Sequence, residues 1–323
     1  MSTPVVTVTL NPAIDRTVTV DRLTLGAVHR ARSSLSNAGG KGVNVAGCLA
    51  DWGLPPIVTG LLGRDNAAPF EALFSAKGID DRFVRATGET RTNIKIADLA
   101  TGETTDLNLP GLAVAAETYT AVRQVLHGVV RPGTLVVVAG SLPENLPAST
   151  CADLVGELTA LGARVVLDTS GEPLARALAP DVAVLPHAIK PNRSELEGFA
   201  GRRLDGEAAI VAAARELVGR GIGLVAVSCG AEGAVLVTAD AAVAARLAPV
   251  AALSTVGAGD AMVAGLVAGL AADASLAEIA RLGVAFAAAK LAGVGPNLPS
   301  IATVRELAAA AELRPVRDTD VRV

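Results

Sequence analysis

The pattern of hydrophobic and polar residues predicts a regular α/β core in the second half of the chain. Short aliphatic runs alternate there with helical stretches, which is typical of βαβ units in a mainly parallel sheet with helices on both faces. The predicted strands are 134–138, 164–167, 182–185 and 224–227. The predicted helices are 148–161, 171–178, 207–220 and most of 260–313, followed by a frayed tail at 314–323.

The first third of the chain mixes buried and half-exposed elements. The pattern continues the core with strands at 5–10 and 56–62 and helices at 43–52 and 69–77. Alternating or polar extended segments occur at 16–23, 28–35, 92–97 and 104–109. Such alternation is typical of a sheet with one solvated face. We therefore expect one α/β domain over residues 1–323, built as a three-layer α/β/α core with a small β-sheet lid from about 13–36 and 90–110.

Composition narrows the class of protein. The chain has 323 residues, of which 51% are hydrophobic and 2% aromatic, so its core is built mainly from small aliphatic side chains. The net charge is −4 and there is no Lys/Arg run, which disfavours a nucleic-acid partner. The three cysteines are widely spaced and predict neither disulfides nor a zinc site. Without a signal peptide or a membrane-length apolar segment, we expect a cytoplasmic protein with no membrane partner.

A glycine-rich segment before a helical pattern is the sharpest candidate for chemistry. Gly257, Ala258 and Gly259 allow successive N–H groups to converge on an anion, and the helix dipole adds to the attraction. Asp260, in the first helical turn, is positioned to accept a proton from an acceptor hydroxyl. A glycine loop that Asp260 merely caps would give the same pattern.

A second candidate follows the strand at 182–185. Asn192 and Glu195 are three residues apart at a helix start, next to Lys190, and are suited to organising water around Mg²⁺. The same spacing is that of a capping box, which would need no metal.

Two early segments are candidates for binding a polar ligand. Gly39 and Gly40 allow close backbone approach, Lys41 can neutralise an anion, and Asn44 can donate to and accept from sugar hydroxyls. Asp15 follows the first strand, at the sheet edge where ligands bind in open α/β folds. Ordinary turns would also explain these residues.

A third cluster lies on a predicted strand. Alternation places Arg91, Asn93 and Lys95 on one face, with Ile94 and Ile96 on the other. Two cations that flank an amide are suited to an anionic substrate. A solvated strand face is the alternative.

Taken in order, these motifs resemble those of the ribokinase-like carbohydrate kinases, in particular their phosphofructokinase-B branch. The matching segments are residues 9–15, 38–46, 190–195 and 257–260, and the similarity extends to about residue 313. Within the branch, the opening segments look most like 1-phosphofructokinases and tagatose-6-phosphate kinases.

The resemblance implies roles for individual residues. Asp260 would be the catalytic base, with Gly257, Ala258 and Gly259 as the anion hole, and Asn192 and Glu195 would organise Mg²⁺. The residues expected to bind the sugar substrate are Asp15, Gly39, Gly40, Lys41, Asn44, Arg91, Asn93 and Ser141. Those expected to bind ATP are Lys190, Asn192, Ser228, Gly230, Thr255, Gly257 and Gly259.

The function implied is that of an ATP-dependent phosphosugar kinase, with fructose 1-phosphate as the favoured acceptor. Tagatose 6-phosphate and fructose 6-phosphate are alternative acceptors, and a non-catalytic sugar-phosphate sensor is the alternative of another class. Ser254-Thr255 stands where many members carry Asp-Thr, so a monovalent-cation requirement is left open. The exposed face of the lid is a candidate homodimer surface.

Overall fold

The computed structural model describes residues 3–248, 257–291 and 297–316. The strands are, in chain order, β1 Val5–Thr9, β2 Ala13–Val20, β3 Ser33–Gly39, β4 Ile57–Gly63, β5 Asp80–Asp81, β6 Val84–Ala86, β7 Thr92–Asp98, β8 Thr104–Leu107, β9 Leu135–Ala139, β10 Arg164–Asp168, β11 Ala188–Ile189, β12 Leu224–Ser228, β13 Ala234–Val237, β14 Ala242–Arg246 and β15 Glu312–Pro315. The helices are α1 Lys41–Asp51, α2 Ala68–Lys77, α3 Ala116–Val129, α4 Thr150–Ala160, α5 Gly171–Ala177, α6 Arg193–Ala200, α7 Gly206–Gly219, α8 Ala258–Ala271, α9 Leu276–Leu291 and α10 Ile301–Ala310.

A large, mainly parallel sheet forms the middle layer. Its order is β15-β14-β13-β12-β11-β10-β9-β1-β4-β5, with β6 also paired to β4. The strands from β5 through β12 are parallel, and β13, β14 and β15 add an antiparallel edge. Aliphatic side chains such as Val136, Val137, Val165 and Val166 are fully buried because the sheet is covered on both faces.

Helices cover the two faces through separate apolar clusters. One cluster packs α3, α4 and α7 against the sheet through residues such as Leu126 and Leu154. The other packs α1, α8 and α9 against the opposite face and includes the fully buried Phe286. The predicted three-layer α/β/α core is thus confirmed.

A four-stranded small sheet, of order β3-β2-β7-β8, lies apart from the core sheet. Asp15 pairs with Asn93 in its register, and Val18 pairs with Ile96, so this polar pair and this apolar pair lie on opposite faces, as predicted. The segments 13–36 and 90–110 therefore do supply a second sheet. That this sheet acts as a lid stays a prediction, and so does the assignment of residues 1–323 to one domain.

Two local predictions are wrong. The strand expected at 182–185 is a loop, and the sheet position between β10 and β12 is filled by Ala188–Ile189 instead. Val184 is 38% exposed there, while Ala188 and Ile189 are buried. The aliphatic run at 182–185 therefore belongs to a surface segment, and the buried strand follows it. The tail predicted from 314 is ordered at its start, because Arg314 and Pro315 belong to β15 and pair with β14.

Several elements had no prediction, among them the short strands β5 and β6. Helix α3 and the β13–β14 hairpin were not expected, although both bury aliphatic side chains. Within the described residues, no helix is long and apolar enough to cross a membrane.

Candidate active site

The predicted site residues converge at the carboxyl ends of the parallel strands. Ser141 follows β9, Lys190 follows β11, and Ser228 ends β12. The first turn of α8 faces the same edge, because a β-carbon added at Gly259 would lie 3.7 Å from Lys190 Nζ. This is the edge at which open parallel sheets bind their ligands.

Asp260 is held at the start of α8. Gly257 is the N-cap and has φ +80°, a left-handed conformation that a glycine adopts without steric cost. Asp260 falls in the first turn and is 8% exposed. Asn44 Nδ2, on α1, donates a 2.7 Å hydrogen bond to Asp260 Oδ2. The structure therefore joins two motifs that are 216 residues apart in sequence.

The environment of Asp260 makes it a weak acid. Burial raises its pKa from 3.8 to about 6, and repulsion by the Asp168 carboxylate adds to the increase. The hydrogen bond from Asn44 and the charges of Lys41 and Lys190 oppose it. A carboxylate with such a pKa is ionised near neutral pH and still basic enough to remove a hydroxyl proton in a transition state.

Asp168, at the end of β10, is a site residue that the sequence analysis missed. Its Oδ1 lies 3.3 Å from Lys41 Nζ and 3.4 Å from Lys190 Nζ, so one carboxylate holds two lysines. Asp168 is 2% exposed, and its Oδ2 has no hydrogen-bond partner among residues described by the structure. Its position at the end of a buried strand was the signal that could have found it.

Lys41 interacts electrostatically with the carboxylates of Asp168 and Asp260. Burial, the largest single effect, lowers its pKa, but the carboxylates of Asp168 and Asp260 outweigh burial and raise the pKa overall. Lys41 was predicted to bind the substrate. The structure places it beside Asp168, within the electrostatic reach of Asp260 and Glu195.

Asn192 and Glu195 form a complete capping box at the start of α6. Asn192 Oδ1 accepts a 2.8 Å bond from the Glu195 N–H, and Glu195 Oε2 accepts a 2.8 Å bond from the Asn192 N–H. The alternative left open by the sequence is thus realised. In the described part of the chain, no group of three His, Cys, Asp or Glu side chains is arranged to hold a metal.

Asp15 and Asn93 meet on the face of the small sheet that also carries the Gly39 end of β3. Asn93 Nδ2 donates to Asp15 Oδ1 at 3.3 Å, and a β-carbon at Gly39 would lie 2.6 Å from Asp15 Oδ2. Gly40, with φ +106°, then turns the chain into α1. The buried Oδ1 of Asn93 lacks a partner among the described residues. The arrangement leaves polar atoms for a hydroxylated ligand.

Arg91 lies beside Ser141, and both were predicted to bind the sugar substrate. Arg91 Nη2 donates to Ser141 Oγ at 3.4 Å and to the Asn11 carbonyl at 3.1 Å. Asn11 Nδ2 also donates to Ser141 Oγ, at 3.1 Å, which adds a residue that was not predicted. Burial lowers the pKa of Arg91, while Asp15 raises it. Lys95 points elsewhere, into an ion pair with Asp106 at 3.7 Å.

An apolar cavity of about 470 Å³ opens beside the glycine turn at Gly257–Gly259. Ser228 and Gly230 line it together with Gly259 and Met262 of α8. Its other wall is α9, through Val284, Ala287, Ala288 and Leu291, which no sequence motif had identified. A cavity of this size and composition is suited to a planar aromatic group. Thr255, also predicted to bind nucleotide, lies outside the described residues.

Comparisons with known proteins identify the family of the chain. The sequence profile of pfkB family carbohydrate kinases matches residues 8–303. The chain is 50% identical to the 1-phosphofructokinase of Xanthomonas campestris pv. campestris, over 96% of this chain and 98% of the relative. It is 47% identical to the 1-phosphofructokinase of Rhodobacter capsulatus, over 93% and 94%.

The fold resembles that of phosphofructokinase-2 from Escherichia coli, solved in complex with substrates and products. The TM-score is 0.87 at 29% identity, over 95% of this chain and 98% of the other. Another structure of that enzyme, described as its tetrameric inhibited form, gives 0.85 at 30% identity, over 96% and 99%. The chain therefore belongs to the pfkB family of carbohydrate kinases.

Proposed function

We propose that this protein transfers the γ-phosphate of ATP to fructose 1-phosphate, forming fructose 1,6-bisphosphate and ADP. The observation that carries the proposal is Asp260, a buried carboxylate with a pKa of about 6 at a glycine turn, hydrogen-bonded to Asn44. The names of the relatives at 50% and 47% identity support the choice of acceptor.

In the proposed reaction, the 6-hydroxyl of the sugar attacks the γ-phosphorus and gives its proton to Asp260. The bond from the γ-phosphorus to the oxygen it shares with the β-phosphate breaks, and ADP leaves with that oxygen. The N–H groups at Gly257–Gly259 and the dipole of α8 stabilise the charge on the transferred group. Lys41 and Lys190, held by Asp168, neutralise the polyphosphate.

Binding of the acceptor uses two groups of residues. Asp15, Asn93 and the backbone at Gly39–Gly40 take the sugar hydroxyls, which would satisfy the unpaired Oδ1 of Asn93. Arg91 and Ser141 take the phosphate already on the sugar. Arg91 already donates to backbone carbonyls and to Ser141 Oγ, so its guanidinium is oriented before the phosphate arrives.

ATP occupies the groove between β12 and α9. Its adenine fills the apolar cavity beside Ser228 and Gly230, and its phosphates extend past Gly259 towards Lys190. The small sheet closes over the sugar and keeps water from competing as the acceptor.

The carboxylates of the site fit a hydrated Mg²⁺. Glu195 uses only one of its oxygens in the capping box. Asp168 Oδ2 has no hydrogen-bond partner in the described parts of the chain. Each carboxylate therefore has an oxygen for the ion or its waters. Mg²⁺ is usually held by one or two carboxylates together with substrate phosphates, so a three-residue cage is not required. When bound, the ion supplies charge neutralisation on the β- and γ-phosphates.

We also propose that the protein acts in the cytoplasm as a homodimer through the small sheet. The face opposite Asp15 and Asn93 carries the apolar side chains of Val18, Ile94, Ile96 and Leu107, with the exposed Arg16 beside Ile94. Leu107 is 48% exposed. A second copy that covers these apolar side chains would remove them from water.

The test is a coupled ADP-release assay with ATP and Mg²⁺ against four acceptors. Fructose 1-phosphate should give the highest kcat/KM, ahead of fructose 6-phosphate, tagatose 6-phosphate and unphosphorylated fructose. A preference for one of the other phosphosugars would replace the acceptor and keep the chemistry. Absence of turnover with every acceptor would favour the sugar-phosphate sensor.

A further inference from the structure

Lys290 is a buried lysine for which the proposed mechanism has no role. It lies in the last turn of α9 and is 3% exposed. Helices α8 and α9 pack antiparallel and closely, since β-carbons at Gly265 and Gly269 would contact Leu282 and Ile279. This packing brings Lys290 to the start of α8, where a β-carbon at Gly257 would lie 3.3 Å from Lys290 Cε.

The charge of Lys290 has no paired carboxylate in the described residues. The other lysines of the chain are all paired: Lys41 and Lys190 with Asp168, Lys77 with Asp51, and Lys95 with Asp106. The groups that favour the charged form of Lys290 act at longer range and are Cys48 and Asp260. Burial is the larger effect and lowers the pKa of Lys290.

An unpaired buried ammonium is unfavourable, and its surroundings make it more so. The start of α8 carries the partial positive charge of its free N–H groups, so two positive features face each other around Gly257. A lysine at a helix C-terminus normally gains from the dipole while its ammonium reaches water. Lys290 is buried instead, so capping α9 does not account for its position. The arrangement becomes favourable when an anion binds at the Gly257–Gly259 turn.

We propose that the ammonium of Lys290 takes the place of a bound monovalent cation. Its charge supports the Gly257–Gly259 turn and Asp260, so the reaction does not require added potassium. The inference rests on the proposed kinase function. Lys290 is a positioning residue in this scheme, because it acts through the turn and is not required to touch the substrate. A protein ammonium and a bound potassium ion both supply one positive charge at a dehydrated site, so either can fill this role.

Two variants separate the charge from the packing. Lys290→Met removes the charge and keeps a long, unbranched side chain, and such replacements of buried charges usually preserve folding. We expect its kcat to fall about 100-fold, as when one group that stabilises transition-state charge is removed. Lys290→Ala leaves space for an ion, and potassium or ammonium salts should restore much of its kcat relative to tetramethylammonium salt at equal ionic strength. The kcat of the wild type should be the same in all three salts.

Lys77→Ala is the matched control, since it removes a mostly buried lysine that Asp51 pairs. It should show no salt-specific recovery. The melting temperature without substrates gives a second readout: potassium should raise it for Lys290→Ala and leave the wild type unchanged.

The outcomes distinguish this inference from the proposed function. A wild type that phosphorylates no sugar overturns the proposed function, and the melting data on Lys290→Ala then decide whether the cation site exists. An active wild type that requires potassium overturns the inference alone, as does a Lys290→Met variant with normal kcat. If Lys290→Met does not fold, the wild-type salt response and the Lys290→Ala recovery decide it.

Discussion

The ionisation of Asp260 controls the proposed chemistry at the scale of a single residue. A general base contributes about 10²- to 10⁴-fold to a rate, so Asp260→Asn should lower kcat by about 10³-fold with little change in KM. Because the pKa of Asp260 is about 6, wild-type kcat/KM should fall as the pH drops below 6 and level off above it. Steady-state kinetics from pH 5 to 9 check both points.

The control for this substitution is Asp153→Asn, which makes the same change in the first turn of α4. It should leave kcat and the pH profile unaltered. An Asp260→Asn variant that retains most of the wild-type rate would remove Asp260 from the role of base.

The same carboxylate should reduce stability at neutral pH. The folded pKa of about 6 exceeds the unfolded value of 3.8, so the stabilising contribution of protonated Asp260 is complete below pH 4 and is lost as the pH rises through 6. Asp260→Asn should therefore be more stable than the wild type at pH 8, by up to about 3 kcal/mol, and equal to it near pH 4. Urea unfolding at the two pH values measures this difference. A variant less stable at pH 8 would contradict the raised pKa.

Arg91 should determine preference for a phosphorylated acceptor. Arg91→Ala should raise the KM for fructose 1-phosphate by about 10- to 100-fold, the loss expected for a charge-assisted hydrogen bond or two. The KM for ATP should not change, because Arg91 lies on the side of Ser141 and Asn11. Lys95→Ala is the control, since its partner is Asp106 and its loss should have little effect. Equal loss of affinity for ATP would show that Arg91 is needed for structure instead.

At the scale of an element, the start of α6 combines capping with proposed metal organisation. Glu195→Gln keeps an oxygen that can accept the bond from the Asn192 N–H and removes the charge. We expect an unchanged melting temperature and about a 10-fold higher Mg²⁺ concentration at half-maximal rate, since second-layer ligands typically matter by 10- to 100-fold.

Asn192→Ser offers the complementary test, because serine is also a good N-cap while it lacks the carboxamide. A Glu195→Gln variant that melts earlier but has a normal Mg²⁺ response would show that the capping box is the only role of this pair.

At the scale of the whole molecule, the proposed dimer depends on the outer face of the small sheet. Leu107→Lys should convert the dimer to a monomer in sedimentation velocity, because it places a charge among the apolar side chains of this face, next to Ile94. Val184→Lys, at a similarly exposed apolar residue in the α5–β11 connection, is the control and should leave the dimer intact. A monomeric wild type would refute the assembly.

The prediction of the fold succeeded where local pattern and tertiary environment agree. Strands such as β9, β10 and β12 were found because their side chains are buried on both faces and read as continuous aliphatic runs. The segment at 182–185 has the same composition but lies at the surface, so only the neighbours of β11 distinguish the two. β15 was missed because its strand character comes from pairing with β14, 66 or more residues away in sequence.

The sequence by itself determined the family, the three-layer core and the motifs at Gly39–Asn44, Asn192–Glu195 and Gly257–Asp260. It could do so because each motif is a local arrangement of a turn and a helix start, which neighbouring residues encode. Only the tertiary structure decided which groups act on each other. The packing of α1, β10 and α8 brings Asn44, Asp168 and Asp260 together, and that of α8 and α9 buries Lys290 behind Gly257. Charges interact through space and respond to burial, so the pKa of Asp260 and the importance of Lys290 depend on contacts between distant segments.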